Sequence, residues 1–202
     1  MASEPDTIVA LSTPSGESAL ALIRLSGLDA PVLGRDVLNR KQELIPRKAT
    51  TGFYHERSGE IIDQVVATGF AENSSFTGEA MLEISCHGNP VLVQKIIEDL
   101  VDRGARVALP GEFTRRAYMN GRLDLTQAEA IGDLIHARSD LALNAARQQL
   151  RGAIGLWISE CSEALLGALA SLEAYIDFPD EDLPPEDEEG PLKTVFEVRE
   201  KV

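Results

Sequence analysis

The chain has 202 residues, of which 44% are hydrophobic and 26% are charged, and its formal net charge is −14. This composition is typical of a soluble globular protein with one large domain or two smaller ones. Such an acidic chain is not expected to cover nucleic-acid phosphates by itself, because neutralising them requires many Lys and Arg side chains. Its two cysteines form no C-x-x-C pair, which argues against a disulfide framework and a zinc site.

The N-terminal residues lack the basic and apolar segments of a secretory signal peptide. No run approaches the roughly 18 apolar residues of a membrane span. We therefore expect a cytoplasmic protein with no membrane partner. The chain has only three histidines and no recognisable catalytic or metal-binding motif, so we expect neither a metal site nor a catalytic residue in it.

The first part of the chain alternates predicted strands and helices. Apolar runs at 7–12 and 19–26 flank the turn-forming residues of "TPSGE", which predicts two strands joined by a turn. The next predicted elements are a helix at 29–40, a hairpin around 57–59, a strand at 80–88, a helix at 90–103 and a strand at 105–110. Together they predict an N-terminal mixed-sheet α/β domain over residues 1–118.

The character of the sequence changes after Gly121. Asp124 and Gln127 have the spacing of a capping box, which predicts a helix that begins near residue 125. Residues 139–178 contain no proline, and their apolar side chains recur every three or four positions. This pattern predicts one long helix of about 54 Å that extends as an arm.

A helical segment is therefore expected over 119–202, so the fold class is α+β, a sheet domain followed by part of a helical bundle. The segment includes an acidic, proline-containing stretch at 177–191, which we interpret as a solvated linker. One long helix and the start of another cannot complete a bundle. We expect the chain to be a fragment of a longer protein or to pair with another copy.

Two charged residues stand out because they lie within apolar segments. Glu83 interrupts "MLEIS", where a buried carboxylate needs a partner, and it can accept two N–H groups from a flat heterocycle such as a pterin. Arg24 lies in "ALALIRLS", where its planar guanidinium group requires an oxyanion or an aromatic face. Exposure at a sheet edge for Glu83 and a structural salt bridge for Arg24 are the alternative interpretations.

Three arginines also cluster in "GEFTRRAYMNGRLDLTQAEA", residues 111–130. Arg122 follows an Asn-Gly pair, where a turn can direct its side chain back toward the sheet. For Arg115 and Arg116 the sequence leaves open whether they are exposed on a short helix, support the domain junction or contact a partner.

Four segments together resemble the MnmE (TrmE) family of tRNA-modification GTPases. They are "DTIVALSTPSG…IRLSG", "SFTGEAMLEISCHGNP", "PGEFTRRAYMNGRLDLTQAEAIGDLIHA" and "YIDFPDE". The resemblance implies an N-terminal domain that binds tetrahydrofolate and dimerises, followed by the first part of a helical domain. By the same resemblance, Arg24, Glu83 and Arg122 contact the folate, although many relatives have lysine at the last position.

The resemblance also implies a role for the intact protein. It is expected to work with the flavoprotein MnmG (GidA), as a heterotetramer, to install a carboxymethylaminomethyl-type group at C5 of the wobble uridine of certain tRNAs. The folate is expected to be 5-formyl- or 5,10-methylene-tetrahydrofolate. GTP, Mg and K would bind in a GTPase domain that this chain lacks, so we expect no GTP hydrolysis by the chain alone. Two alternatives remain: a ligand-free dimerisation scaffold, and an RNA-binding module that uses the three arginines.

Overall fold

A computed structural model describes residues 6–177 and 190–201. The contacts within the chain group it into two compact units, Met1–Leu123 and Asp124–Val202. The first contains a sheet with three helices, and the second is helical, in agreement with the α+β class predicted from the sequence.

The first unit contains six strands and three helices in the order β1, β2, α1, β3, β4, β5, α2, β6, α3. The strands are β1 Ile8–Leu11, β2 Ser18–Ser26, β3 Thr50–His55, β4 Ile61–Phe70, β5 Met81–Gly88 and β6 Arg106–Val107. The helices are α1 Ala30–Val37, α2 Pro90–Asp102 and α3 Glu112–Met119.

The six strands form one sheet in the order β3-β4-β5-β2-β1-β6. All neighbours are antiparallel except β1 and β6, which are parallel, so the predicted mixed sheet is confirmed. The last strand has only two residues, and the sequence prediction of a strand over 105–110 was too long. Next to it, the backbone N–H of Ala108 still donates to the Val9 carbonyl at 2.9 Å.

The hydrophobic core lies between α1, α2 and one face of the sheet. Because side chains alternate along a strand, every second residue of β2 and β5 enters this core. The buried residues from these two strands are Ala21, Ile23, Leu25, Leu82, Ile84 and Cys86. The intervening residues, including Arg24 and Glu83, therefore lie on the opposite face of the sheet.

The starts of α2 and α1 are set by different interactions. The Asn89 side chain accepts hydrogen bonds from the backbone N–H groups of Val91 and Leu92, so α2 has the predicted N-cap. Asp29 precedes α1 as predicted, but its side chain makes no capping bond. Its backbone N–H instead donates to the Thr7 hydroxyl at 3.0 Å, which ties the start of α1 to the beginning of β1.

The second unit has four described helices. They are α4 Leu125–His136, α5 Asp140–Leu150, α6 Ala153–Asp177 and α7 Gly190–Lys201. The prediction of one continuous helix over 139–178 was therefore wrong, because the segment is divided between α5 and α6. Gly152 takes a left-handed φ of +81° at the break, a conformation that glycine adopts without steric cost. The Gln127 side chain donates to the Leu150 carbonyl at 3.1 Å and so satisfies one carbonyl at the end of α5.

The predicted capping box at the start of α4 is confirmed. The Asp124 carboxylate accepts from the Gln127 backbone at 2.8 Å, and the Gln127 side chain accepts from the Asp124 backbone at 2.9 Å. Two orphan N–H groups of the first turn are thereby satisfied. Most of the predicted acidic linker at 177–191 lies outside the described residues.

Helix α6 differs from the sequence expectation in one more respect. Over Ala153–Ala174 its mean hydropathy is 1.3, so by length and composition it qualifies as a candidate membrane span, contrary to our prediction. A single helix of this kind is weak evidence for a membrane span, because the buried core helix of a soluble protein passes the same test, although only 6% of this span is buried. In the described part of the second unit, α6 packs against α7 and also contacts α5.

Candidate functional site

The register of the sheet brings Arg24 and Glu83 together. The two residues are direct cross-strand partners on the antiparallel strands β2 and β5. Arg24 donates from Nε and Nη2 to one carboxylate oxygen, Glu83 Oε1, at 3.0 and 2.6 Å. Among the described residues, no protein group donates to Glu83 Oε2. Both side chains are about one-quarter exposed, at 25% and 24%.

An aromatic side chain completes this pair. The Arg24 guanidinium carbon lies 5.6 Å from the centre of the Phe76 ring, within the range of a cation–π contact. Phe76 belongs to the loop 71–80, which connects β4 to β5, and it is 36% exposed. The site therefore combines a carboxylate, a guanidinium group and an aromatic face on the side of the sheet opposite α1 and α2.

Buried hydrogen bonds hold the loop 71–80 in place. The hydroxyls of Ser26 and Thr77 are 2.7 Å apart, and both residues are almost completely buried. The Ser26 hydroxyl also lies 2.7 Å from Glu79 Oε2. On the other side of the loop, the Asn120 side-chain amide donates to the Thr77 carbonyl at 2.8 Å. These bonds fix the position of Phe76 relative to the sheet.

Arg122 lies against the same loop at Gly78, which is two residues after Phe76 in the sequence. A Cβ added to Gly78 would be only 3.1 Å from Arg122 Cγ, so glycine at this position leaves room for the arginine stem. The Arg122 backbone N–H donates to the Ala117 carbonyl at 2.8 Å, which closes the end of α3. Its exposed side chain forms no ion pair in the described part of the chain. The loop thus contacts all of the predicted ligand residues except Glu83, which it reaches through Arg24.

The other two clustered arginines differ from each other. Arg116 is only 12% exposed and contacts three acidic residues. It donates to Glu79 Oε2 at 3.1 Å, to Glu112 Oε1 at 3.2 Å and to the Asp6 carboxylate. Arg115, in contrast, is 66% exposed, and its nearest carboxylate oxygen is 3.8 Å away on Glu112. Arg116 is therefore a structural residue that connects α3 to the loop 71–80 and to the beginning of the chain.

Glu112 is the buried centre of this ion network. Its side chain is 1% exposed, and it accepts from Arg106 Nη2 at 2.7 Å and from the Leu109 backbone at 2.7 Å. Hydrogen bonds from Arg106, the Leu109 backbone and Arg116 outweigh the effect of burial and lower the pKa of Glu112 to about 2. The pKa of Asp6 is also lowered, since bonds from Arg106 and Arg116 outweigh the opposing effect of burial. The network is ionised at neutral pH.

A cavity of about 340 Å³ opens beside the loop 71–80. Three acidic residues line it, Asp6, Glu72 and Glu79. Asn120 and Gly78 are among its other lining residues. None of the three predicted ligand residues lines it, and its carboxylates disfavour an anionic ligand. Arg24 and Glu83 lie instead beside Phe76 on the open face of the sheet, and Arg122 lies against Gly78 of the loop 71–80.

Sequence reasoning missed Phe76 and assigned no role to Glu79 or Glu112. A large aromatic residue between small polar residues in "NSSFTGEA" was the available signal for Phe76. No local signal indicated that Arg24 and Glu83 face each other, because their pairing depends on strand register over 59 positions of sequence.

Two family sequence profiles match the chain. The family described as "GTP-binding protein TrmE N-terminus" matches residues 7–122, and the "MnmE helical domain" matches residues 125–202. The sheet unit and the helical unit thus correspond to two domains of a class of GTP-binding proteins.

The chain belongs to the MnmE (TrmE) family, as the sequence motifs predicted. It is 52% identical to the tRNA modification GTPase MnmE of Opitutus terrae over 179 residues, which cover 89% of this chain and 39% of the relative. It is 44% identical to the protein of the same description from Akkermansia muciniphila over 202 residues, 97% of this chain and 44% of the relative. The chain therefore spans about two fifths of the length of these relatives.

Proposed function

We propose that this chain binds a reduced folate through Arg24, Glu83 and Arg122. The observation that carries the proposal is that no described residue donates to Oε2 of Glu83, while two bonds from Arg24 to Oε1 hold the carboxylate on a partly exposed sheet face. A carboxylate oxygen in this position accepts an N–H group of the pterin ring. The neighbouring Phe76 ring offers an apolar face to the flat part of the ligand.

In this proposal Arg24 has a positioning role as well as a binding role. Its two bonds to Glu83 fix the carboxylate rotamer before the ligand arrives, so less side-chain entropy is lost on binding. Arg122, which lies against Gly78 of the loop 71–80, supplies positive charge for the anionic glutamate tail of the folate. Relatives often carry lysine there, and arginine keeps the charge while changing the geometry of the hydrogen bonds.

We further infer that the intact protein acts as a tRNA modification GTPase, since the relatives carry that name. With MnmG (GidA), in a heterotetramer, it would install the carboxymethylaminomethyl-type group at C5 of the wobble uridine in the cytoplasm. The folate, as its 5-formyl or 5,10-methylene form, would supply a one-carbon unit. GTP, Mg and K would bind elsewhere, because no segment of this chain matches the phosphate loop G-x-x-x-x-G-K-[ST]. The chain alone is therefore expected not to hydrolyse GTP.

Calorimetric titration with 5-formyltetrahydrofolate tests the folate proposal. The variant Glu83→Gln keeps the size of the side chain but removes its charge. A charge-assisted hydrogen bond contributes about 1.5–3 kcal/mol, so the variant should bind roughly 10- to 150-fold more weakly. Glu98→Gln on the exposed face of α2 is the matched control and should bind like the wild type. Equal affinity of the wild type and Glu83→Gln would remove Glu83 from the site.

One observation favours a second candidate, a dimerisation scaffold without a ligand. Phe53 and Val66 are large apolar residues on β3 and β4 that are 52% and 38% exposed. Apolar surface of this kind is typical of a protein interface. A stable dimer in sedimentation experiments, combined with no saturable folate binding, would support the scaffold and contradict the folate proposal. The third alternative, RNA binding by the three clustered arginines, is disfavoured because Arg116 is committed to ion pairs.

A further inference from the structure

The segment between α1 and β3 is unusually basic for this chain. Residues 40–48, which we call the basic loop, contain four cationic side chains and one carboxylate, a net charge of +3 in a chain of net charge −14. The cationic residues are Arg40, Lys41, Arg47 and Lys48, and all of them are exposed. Within residues 6–177 and 190–201, none of them forms a salt bridge. Four exposed cations that pair with no carboxylate in the described part of the chain are available to an external polyanion.

The basic loop is held in a defined shape. Leu44, at its centre, is 9% exposed and belongs to the hydrophobic core. The Arg47 backbone N–H donates to the Gly69 carbonyl at 2.7 Å, and the Lys48 backbone N–H donates to the Ile45 carbonyl at 3.2 Å. The cations before and after Leu44 therefore project from a fixed backbone, so little backbone entropy is lost when they bind a ligand.

The basic loop is also connected to the candidate folate site. Arg47 Nη2 donates to the Ser74 carbonyl at 3.1 Å, in the same loop 71–80 that carries Phe76 and contacts Arg122. A polyanion bound by the basic loop would therefore lie next to the loop that borders the folate site. This arrangement suits a substrate that receives a group from the folate.

We propose that the basic loop binds the phosphate backbone of the RNA substrate next to the loop 71–80. The proposal rests on the proposed function, in which the substrate is a tRNA. Lys and Arg side chains contact RNA phosphates without reading the base sequence, so the loop would position the RNA rather than select it. Ile45 is 62% exposed and gives the loop one apolar side chain for contact with a sugar or a base. An anionic membrane is the less suitable partner, because only this one large apolar side chain is available to insert.

Fluorescence anisotropy with labelled tRNA, measured over a range of salt concentrations, tests the proposal. The triple variant Arg40→Gln/Lys41→Gln/Lys48→Gln removes three charges and leaves Arg47, which has a structural bond. Each lost phosphate contact reduces the log–log salt slope by about 0.7–0.9, so the slope should fall by about 2 to 3. We expect the affinity at low salt to fall at least about 10-fold. The matched control Arg138→Gln/Arg147→Gln/Arg151→Gln removes three exposed charges spread over the helical unit and should keep the wild-type slope.

The outcomes separate this proposal from the folate proposal. Reduced tRNA affinity in the loop variant with unchanged 5-formyltetrahydrofolate binding supports the loop as an RNA site. An unchanged salt slope, or an equal change in the control variant, overturns it. The proposal is also overturned if the loop variant loses binding of a polyglutamylated folate and keeps its binding of tRNA. It is overturned as well if the wild type binds anionic vesicles and does not bind tRNA. A wild-type urea midpoint and circular dichroism spectrum for each variant verify that it is folded, so a lower affinity then reflects the lost charges.

Discussion

The ion network around Glu112 gives the sharpest stability prediction. The substitution Glu112→Gln keeps the shape of the side chain and removes its charge. Arg106 and Arg116 would then lose their shared carboxylate in a place where the glutamate side chain is only 1% exposed. Removing one partner of a buried ion pair is strongly destabilising, because it leaves the other charge uncompensated.

The size of the effect follows from the pKa of Glu112. This pKa is about 2 in the folded chain, compared with an ordinary value of 4.5. One pKa unit corresponds to about 1.4 kcal/mol, so the ionised carboxylate stabilises the fold by about 3 kcal/mol at neutral pH. An acid with a lowered folded pKa contributes this stability above about pH 4.5, and the contribution is lost as the pH falls toward 2.

Urea unfolding followed by circular dichroism measures the prediction. The wild type should be about 3 kcal/mol more stable than Glu112→Gln near pH 7, and this difference should shrink as the pH falls from about 4.5 toward 2. Glu98→Gln, on an exposed face of α2, should lower the stability by less than about 0.5 kcal/mol. A Glu112→Gln variant as stable as this control near pH 7 would refute the reasoning, as would a stability difference that grows on acidification.

Two further substitutions test local geometry. Gly78→Ala, at a φ of +83°, should displace Arg122 and weaken 5-formyltetrahydrofolate binding, because the new Cβ would lie 3.1 Å from Arg122 Cγ. Gly59→Ala, at a φ of +90° with no atom within 4 Å of the added Cβ, carries the same backbone strain and should leave calorimetric affinity unchanged. Asp124→Ala should destabilise the helical unit by about 1 kcal/mol through loss of the N-cap, and Asp133→Ala on the exposed face of α4 should not. The single tryptophan, in α6, reports this unfolding by fluorescence; equal midpoints for the two aspartate variants would contradict the capping argument.

Elements with local causes were predictable from the sequence. Asn89 followed by Pro90 marks the start of α2, and the spacing of Asp124 and Gln127 marks the start of α4, because each cap acts within three residues of chain. The apolar strands were recognisable because each is a short apolar run bounded by turn-forming residues. The break between α5 and α6 was missed because helical periodicity continues across it, and a lone glycine, Gly152, does not always end a helix.

The long-range contacts required the folded chain. Asp29 has the right type for an N-cap, yet its interaction is with Thr7, 22 residues away. The three clustered arginines look equivalent in the sequence, but only Arg116 is packed among carboxylates from three separate segments. Whether an arginine joins a buried ion network or stays exposed depends on which segments pack around it in the folded unit.

The sequence alone determined the family, the class of fold and the chemical types at the candidate site, since these depend on motifs and short-range patterns. Tertiary structure decided that Arg24 lies opposite Glu83, that Phe76 covers the guanidinium group and that the basic loop adjoins the same connection. Strand register and loop packing bring together residues that are distant in the chain. Local sequence preferences do not specify which of these residues meet.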